Sequence, residues 1–278
     1  MAMDFSRRRA CTGALALCGL AVFAPVARAA PLAGRSAASA AGEALTLPSA
    51  INKSGRQRML TQRMGKAWAM RALAIELELA AKIGQQSQAL FISQLGELQQ
   101  TTPTPEIAAA VAALAQAWVG YQSVLTLTPG KDNAARVYQN GDQTLQRAQD
   151  LTALYEKQLG TPQGHLVNIA GRQRMFSQRM ARAFYFGQLD IAANTAGDLQ
   201  AARKEFTAAL QELMDAPQNT PDIKQELVLA AQQWLFFQAS LDGHLPVTIA
   251  NKDIATTSER ILEELNLVTA KYEKLTGA

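Results

Sequence analysis

The stretch Asn52-Lys-Ser-Gly-Arg-Gln-Arg-Met-Leu-Thr-Gln-Arg-Met64 returns as Asn168-Ile-Ala-Gly-Arg-Gln-Arg-Met-Phe-Ser-Gln-Arg-Met180. Between Gly55–Met64 and Gly171–Met180 eight of ten residues are identical. Two amphipathic helices need share only a pattern of apolar and polar positions, not the identities of their polar side chains. The pair is therefore an internal duplication, and its best-kept part is polar. Working outward, Phe91-x-x-x-Leu95-x-x-Leu98 matches Phe206-x-x-x-Leu210-x-x-Leu213, and Trp118, Gln122 and Leu125 match Trp234, Gln238 and Leu241. Tyr155-Glu156-Lys157 matches Tyr272-Glu273-Lys274, so the offset holds at 115 to 117 residues.

Each copy divides into four helical segments. In the first copy, Pro48 suits a first helical turn, and the pattern predicts a helix running to about Gly84. A second segment spans about Gln85 to Gln100 and stops at Thr-Thr-Pro-Thr-Pro. A third runs from Glu106 to about Thr126, ended by Pro129-Gly130, and a fourth from Asn133 to Leu159. In the second copy Asn219-Thr-Pro221 and His244-Leu-Pro246 mark the equivalent breaks. No alternation of strand type occurs between turn signals. Short connections favour antiparallel neighbours, so the expected fold is all-α, two tandem up-down four-helix bundles over 45–160 and 161–278. The connector Gly160-Thr-Pro-Gln-Gly164 should end one helix and start another.

Residues 1–29 read as an export signal: Ser6-Arg7-Arg8-Arg9, an apolar run from Ala14 to Phe23, and the small-x-small site Ala27-Arg28-Ala29. A membrane anchor is the competing reading, but the run is short for a span. The paired arginines suggest the twin-arginine route to the periplasm. Residues 30–44, rich in Ala, Ser and Gly, read as a leader. Cleavage would remove Cys11 and Cys18, and with them thiol and disulfide chemistry. It would also take away four arginines and one aspartate, so the net charge of +4 becomes +1 and nucleic acid is not an expected partner. No later stretch joins eighteen uncharged apolar residues, so no span is expected after the signal.

At 100° per residue, Gly55, Arg58, Gln62 and Lys66 form one helical stripe, with Met59 and Arg63 beside it. Gly171, Arg174, Gln178 and Arg182 repeat it, flanked by Met175 and Arg179. No carboxylate lies within either motif to neutralise these cations. A guanidinium is a rigid fork of donors that fits a planar oxyanion and stays charged at physiological pH. A glycine one turn before it clears room for a close approach. If the copies pack about a pseudo-twofold axis, Arg58 and Arg174 face each other, and an anion between them converts repulsion into attraction. The plainer reading is that these arginines are solvated or paired with acids on a neighbouring helix.

The motif resembles the signature of the PilJ-type sensor domain, also called the NarX-like N-terminal domain, of type IV pilus chemotaxis transducers and nitrate/nitrite sensor kinases. The resemblance is strongest over the first helix of each copy and extends over both bundles. It implies a periplasmic four-helix bundle and an anion-binding role for the arginine immediately before the motif methionine, here Arg58 and Arg174. Arg63 and Arg179 match a further family arginine. The family usually sets one such domain between two membrane spans and adds a kinase or methyl-accepting output. These 278 residues instead carry two units and no such output, so a separate membrane sensor or transducer is the implied partner. Arg56 and Gln57 also add polar groups where the nitrate sensors have small or apolar ones.

Two functions follow as alternatives. One is a periplasmic binding protein that captures a small oxyanion, nitrate or nitrite first, through Arg58, Arg174, Gly55, Gly171, Gln62, Gln178, Arg63 and Arg179. The other is a helical adaptor whose Arg/Gln face docks a protein and takes no small ligand. His165, in the connector, and His244 are expected in solvated loops, and no metal, cofactor or nucleophile–base arrangement is indicated. The four motif methionines and Trp118 and Trp234 are expected in the core.

Overall fold

The computed structural model describes residues 45–275, so the expected export signal (1–29) and expected leader (30–44) lie outside the described residues. Eight helices follow in order: α1 (Leu47–Ala72), α2 (Leu77–Gln99), α3 (Pro105–Leu125), α4 (Lys131–Leu159), α5 (Pro162–Gln188), α6 (Thr195–Asp215), α7 (Pro221–Leu241) and α8 (Val247–Leu275). Among the described residues there is no strand. Thr104, Thr161 and Thr220 cap α3, α5 and α7, each hydroxyl accepting the N–H three residues on, and a proline follows each cap. A proline in the first turn gives up no hydrogen bond, and the hydroxyl satisfies one of the unpaired N–H groups. Gly160, at φ 64°, closes α4 in the left-handed region.

The first helix is shorter than its pattern predicts. It ends at Ala72, and α2 starts at Leu77 rather than near Gln85. The turn between them uses Ala74 at φ 55° and Glu76 at φ 40°, left-handed positions held by ordinary residues. No glycine or proline announces it. Gly84, expected as the stop, lies inside α2, where a Cβ would stand 3.7 Å from the Ala67 methyl.

Helices α1–α4 form one bundle and α5–α8 the other. In each, the first helix contacts the second and the fourth, and the third packs on the fourth. The most extensive helix–helix contact joins the two bundles, α1 against α5. These two run parallel and in register, Gly55 opposite Gly171 and Gly65 beside Arg182. Each is thus enclosed by its own bundle and by its counterpart, which buries its polar stripe as well as its apolar one. Phe91 stacks on Trp118 at 4.3 Å between centroids, and Phe206 meets Trp234 at 4.4 Å in the second bundle. Both tryptophans and all four motif methionines are buried, as expected. Helix α3 has the length and apolarity of a membrane span. Its buried residues Ile107, Val111, Leu114, Trp118 and Tyr121 recur every three or four positions, the one-sided pattern of a bundle helix.

Candidate functional site

Arg58 and Arg174 lie at the crossing of α1 and α5, both fully buried. Two glycines make the approach possible. A Cβ on Gly171 would stand 3.2 Å from Arg58 Nη2, 3.4 Å from Arg174 Nη2 and 4.0 Å from the Gly55 Cα. A Cβ on Gly55 would stand 2.9 Å from Arg58 Nη2. Any side chain at either position would occupy the space of the guanidinium groups.

The hydrogen bonds are reciprocal between the repeats. Arg58 Nη2 donates to Asn168 Oδ1 at 2.7 Å and to its carbonyl at 3.3 Å; Arg174 Nη2 donates to Asn52 Oδ1 at 2.8 Å and to its carbonyl at 3.3 Å. Within its own bundle, Arg58 Nη1 reaches Gln149 Oε1 on α4 at 2.6 Å, and Arg174 Nη1 reaches Asn266 Oδ1 on α8 at 3.1 Å. Arg58 Nε completes its set at the Gly55 carbonyl, 3.4 Å away, whereas Arg174 Nε is buried without a hydrogen-bond partner. Behind these amides stand carboxylates, Asn168 donating to Glu156 and Asn52 to Glu273. The acceptors in direct contact are thus neutral amides and carbonyls. Burial, and then Arg172, lowers the Arg58 pKa to about 9 against the pull of Glu156. Burial, then Arg56 and Arg58, pushes Arg174 well below its ordinary value, with Glu273 opposing. Two like charges in a low-dielectric seam, bound to dipoles rather than to charges, are an unfavourable pair that a counter-ion would relieve.

The other expected site residues divide. Gln62 Oε1 accepts from Arg182 Nη1 at 2.7 Å across the α1–α5 seam, whereas Gln178 Nε2 donates to the Ser258 carbonyl at 2.7 Å and ties α5 to α8 within its own bundle. Arg63 and Arg179 leave the crossing. Arg63 forks onto Glu259 of α8 and donates to Ser87 at 3.0 Å, and Arg179 pairs with Asp198 at 3.0 Å. For these two the plainer reading holds: acids on neighbouring helices neutralise them.

The last cation of each stripe crosses to the fourth helix of the opposite repeat. Lys66 donates to Ser258 at 3.0 Å and to Glu259 at 2.6 Å. Arg182 passes between Gly65 and Gly141 to reach Asp142 at 2.7 Å, with its guanidinium carbon 3.8 Å from the Tyr138 ring centroid. Burial is the largest influence on Arg182 and opposes its charge, but Asp142 with Tyr138 and Tyr121 together raise the pKa. Burial likewise opposes ionisation of Glu259, yet Lys66 and Arg63 together hold it at about 2. Burial lowers Lys66 in spite of Glu259. The carboxylate, which accepts from two cations, governs the pair.

Two expectations are corrected. His165 lies in the first turn of α5 rather than in a loop, its side chain exposed as expected, with Nδ1 2.6 Å from Glu156 and Nε2 3.3 Å from Glu212. The Arg/Gln stripe, the docking face of the adaptor alternative, is covered by the opposite repeat, so no partner reaches it without parting α1 from α5. Sequence reasoning missed the amide acceptors Asn52, Asn168, Gln149 and Asn266. The first two open the quoted stretches, and the last two share a side-chain amide at the repeat offset. The signal was the repetition of an amide at equivalent positions.

Comparison with known proteins adds one match. The family model PilJ, described as type IV pili methyl-accepting chemotaxis transducer N-term, matches residues 43–153 and again 158–263. No curated protein matches the chain, and no solved structure does.

Proposed function

The chain belongs to the PilJ family, the N-terminal region of type IV pili methyl-accepting chemotaxis transducers, and from that premise we propose an exported sensory protein that captures a small oxyanion. Nitrate or nitrite is the first choice, held between Arg58 and Arg174 and reported to a membrane signalling partner from the periplasm. The observation that carries this reading is the pair of fully buried guanidiniums meeting over two glycines, with only neutral acceptors in direct contact. A planar anion there would take over the Arg58 and Arg174 donors now accepted by Asn168 and Asn52, and would satisfy Arg174 Nε. The bound charge would relieve the repulsion between the two guanidiniums. The chemistry is binding, with no bond made or broken.

A ligand that binds only the folded state stabilises it by roughly 2.7 kcal/mol at a hundredfold excess over Kd. For a chain of this size that is a rise of about 5–10 °C in Tm. Millimolar nitrate or nitrite should produce it, well above chloride at equal ionic strength, because a fork of donors rewards a planar, delocalised anion. Arg58→Lys and Arg174→Lys should each weaken the response while keeping the charge. Equal shifts for all monovalent salts, unchanged in both variants, would leave only general screening and sink the reading.

A further inference from the structure

The two repeats do not enclose the arginine pair equally. A cleft of about 370 Å³ opens between α1, α2 and α8, lined among others by Arg56, Leu90, Glu259 and Asn266. Asn266 has one side on this cleft, while its Oδ1 accepts from Arg174 Nη1 at 3.1 Å. A part-buried amide therefore links the cleft to a buried guanidinium whose Nε is unpartnered. At the mirror position the bond from Arg58 to Gln149 is shorter, 2.6 Å.

The mirror surface, beside α5 and α6, is bridged. The residue equivalent to Leu90 is Glu205, which pairs with Arg172 at 3.2 Å. The equivalent of Leu60 is Phe176, whose ring centroid lies 5.3 Å from the Arg172 guanidinium carbon. The Arg172 guanidinium is thus held by both a carboxylate and a ring. Arg56, its counterpart, has a leucine at each of these positions instead.

Resting on the oxyanion reading, we infer that the anion passes through the α1–α2–α8 cleft and that Asn266 is the latch. Its amide must release Arg174 Nη1 before the anion is seated. The cleft's own cations and carboxylates roughly balance, so the inward pull comes from Arg174 behind the latch. A closed cleft raises the barrier in both directions and leaves the end states alone, so on- and off-rates must fall together at constant Kd.

The test uses the full chain with Cys11→Ser and Cys18→Ser, carrying Leu90→Cys labelled with a bulky maleimide. NMR exchange with ¹⁵N-nitrate reads free and bound anion directly. The labelled Leu90→Cys protein should associate and dissociate more slowly, tenfold or more in both directions, with Kd within twofold of the unlabelled protein. The same label on Glu205→Cys should leave both rates unchanged, and Asn266→Ala should raise both. Where Leu90→Cys fails to fold, Glu263→Cys, exposed on the same cleft, takes its place with the same expectation. Wild-type exchange in the labelled cleft variant, or equal slowing at position 205, overturns the inference while nitrate binding itself stands. Absence of nitrate binding in the unlabelled chain refutes the oxyanion reading, and the latch with it.

Discussion

Arg58→Met is expected to raise the stability of the anion-free protein, although it truncates a fully buried side chain with hydrogen bonds from all three guanidinium nitrogens. The fall of the Arg58 pKa from its ordinary value to about 9 corresponds to roughly 5 kcal/mol against the charged form in the folded state. Because the folded value lies below the unfolded one, that cost is present in full below about pH 9. It fades only as the pH rises from there toward the ordinary arginine value, so at pH 7 the substitution removes all of it. Against this, Asn168 Oδ1 and Gln149 Oε1 lose a donor, at about 1–3 kcal/mol for a buried acceptor and less for Gln149, which reaches solvent. Methionine fills much of the stem volume. The net is a gain of about 1–3 kcal/mol, in line with the general behaviour of buried charges replaced by apolar groups. For a chain of this size that raises Tm by about 2–10 °C. Calorimetric melts at pH 7, in buffer free of small oxyanions and again with nitrate, measure both effects, and the nitrate response should disappear in the variant. A loss of roughly 2–5 kcal/mol in the anion-free melt would mean that the buried charge is well satisfied by its amides. The two guanidiniums would then not be an unfavourable pair.

Asn266→Asp should act as a tethered anion: a carboxylate facing Arg174 Nη1 should stabilise the anion-free chain by about 1–3 kcal/mol and suppress the melting shift with nitrate. An undiminished nitrate shift in that variant would count against Arg174 as a receptor. Acid should weaken the seam through Glu259, whose pKa is held at about 2 in the fold against an ordinary 4.5. That stabilisation, about 3 kcal/mol, is present above about pH 4.5 and is lost as the pH falls toward 2. Urea unfolding of Glu259→Gln across that range should lack this dependence, and a slope equal to that of the wild type would rule the assignment out.

The duplication, the bundle pairs and the meeting of Arg58 with Arg174 were legible because they depend on identities repeated at a fixed offset. The α1–α2 turn was not, since Ala74 and Glu76 adopt left-handed conformations that composition does not announce. Arg58 and Arg63 group into one site on the sequence because they lie on adjacent helical rows. Which carboxylates approach is decided by α4, α6 and α8, whose positions no local pattern fixes. Tyr155-Glu156-Lys157 and its copy were visible as a repeat but silent as to purpose. In the fold their glutamates stand behind Asn168 and Asn52, and the tyrosine hydroxyls close on the carbonyls of Thr101 and Leu213.

The parallel α1–α5 seam belongs to one polypeptide, and this changes the reaction order of the proposed anion capture. Two separate chains would have to meet first, so occupancy would vary with protein concentration; here the second half is supplied at the effective concentration set by the link through Gly160. Covalent union also frees the halves from being identical. In the first repeat Lys66 faces Ser258, and in the second Arg182 threads past Gly141, the equivalent of that serine. A homodimer must change both walls of its site with every substitution, whereas this chain can alter one wall and leave the other as it was.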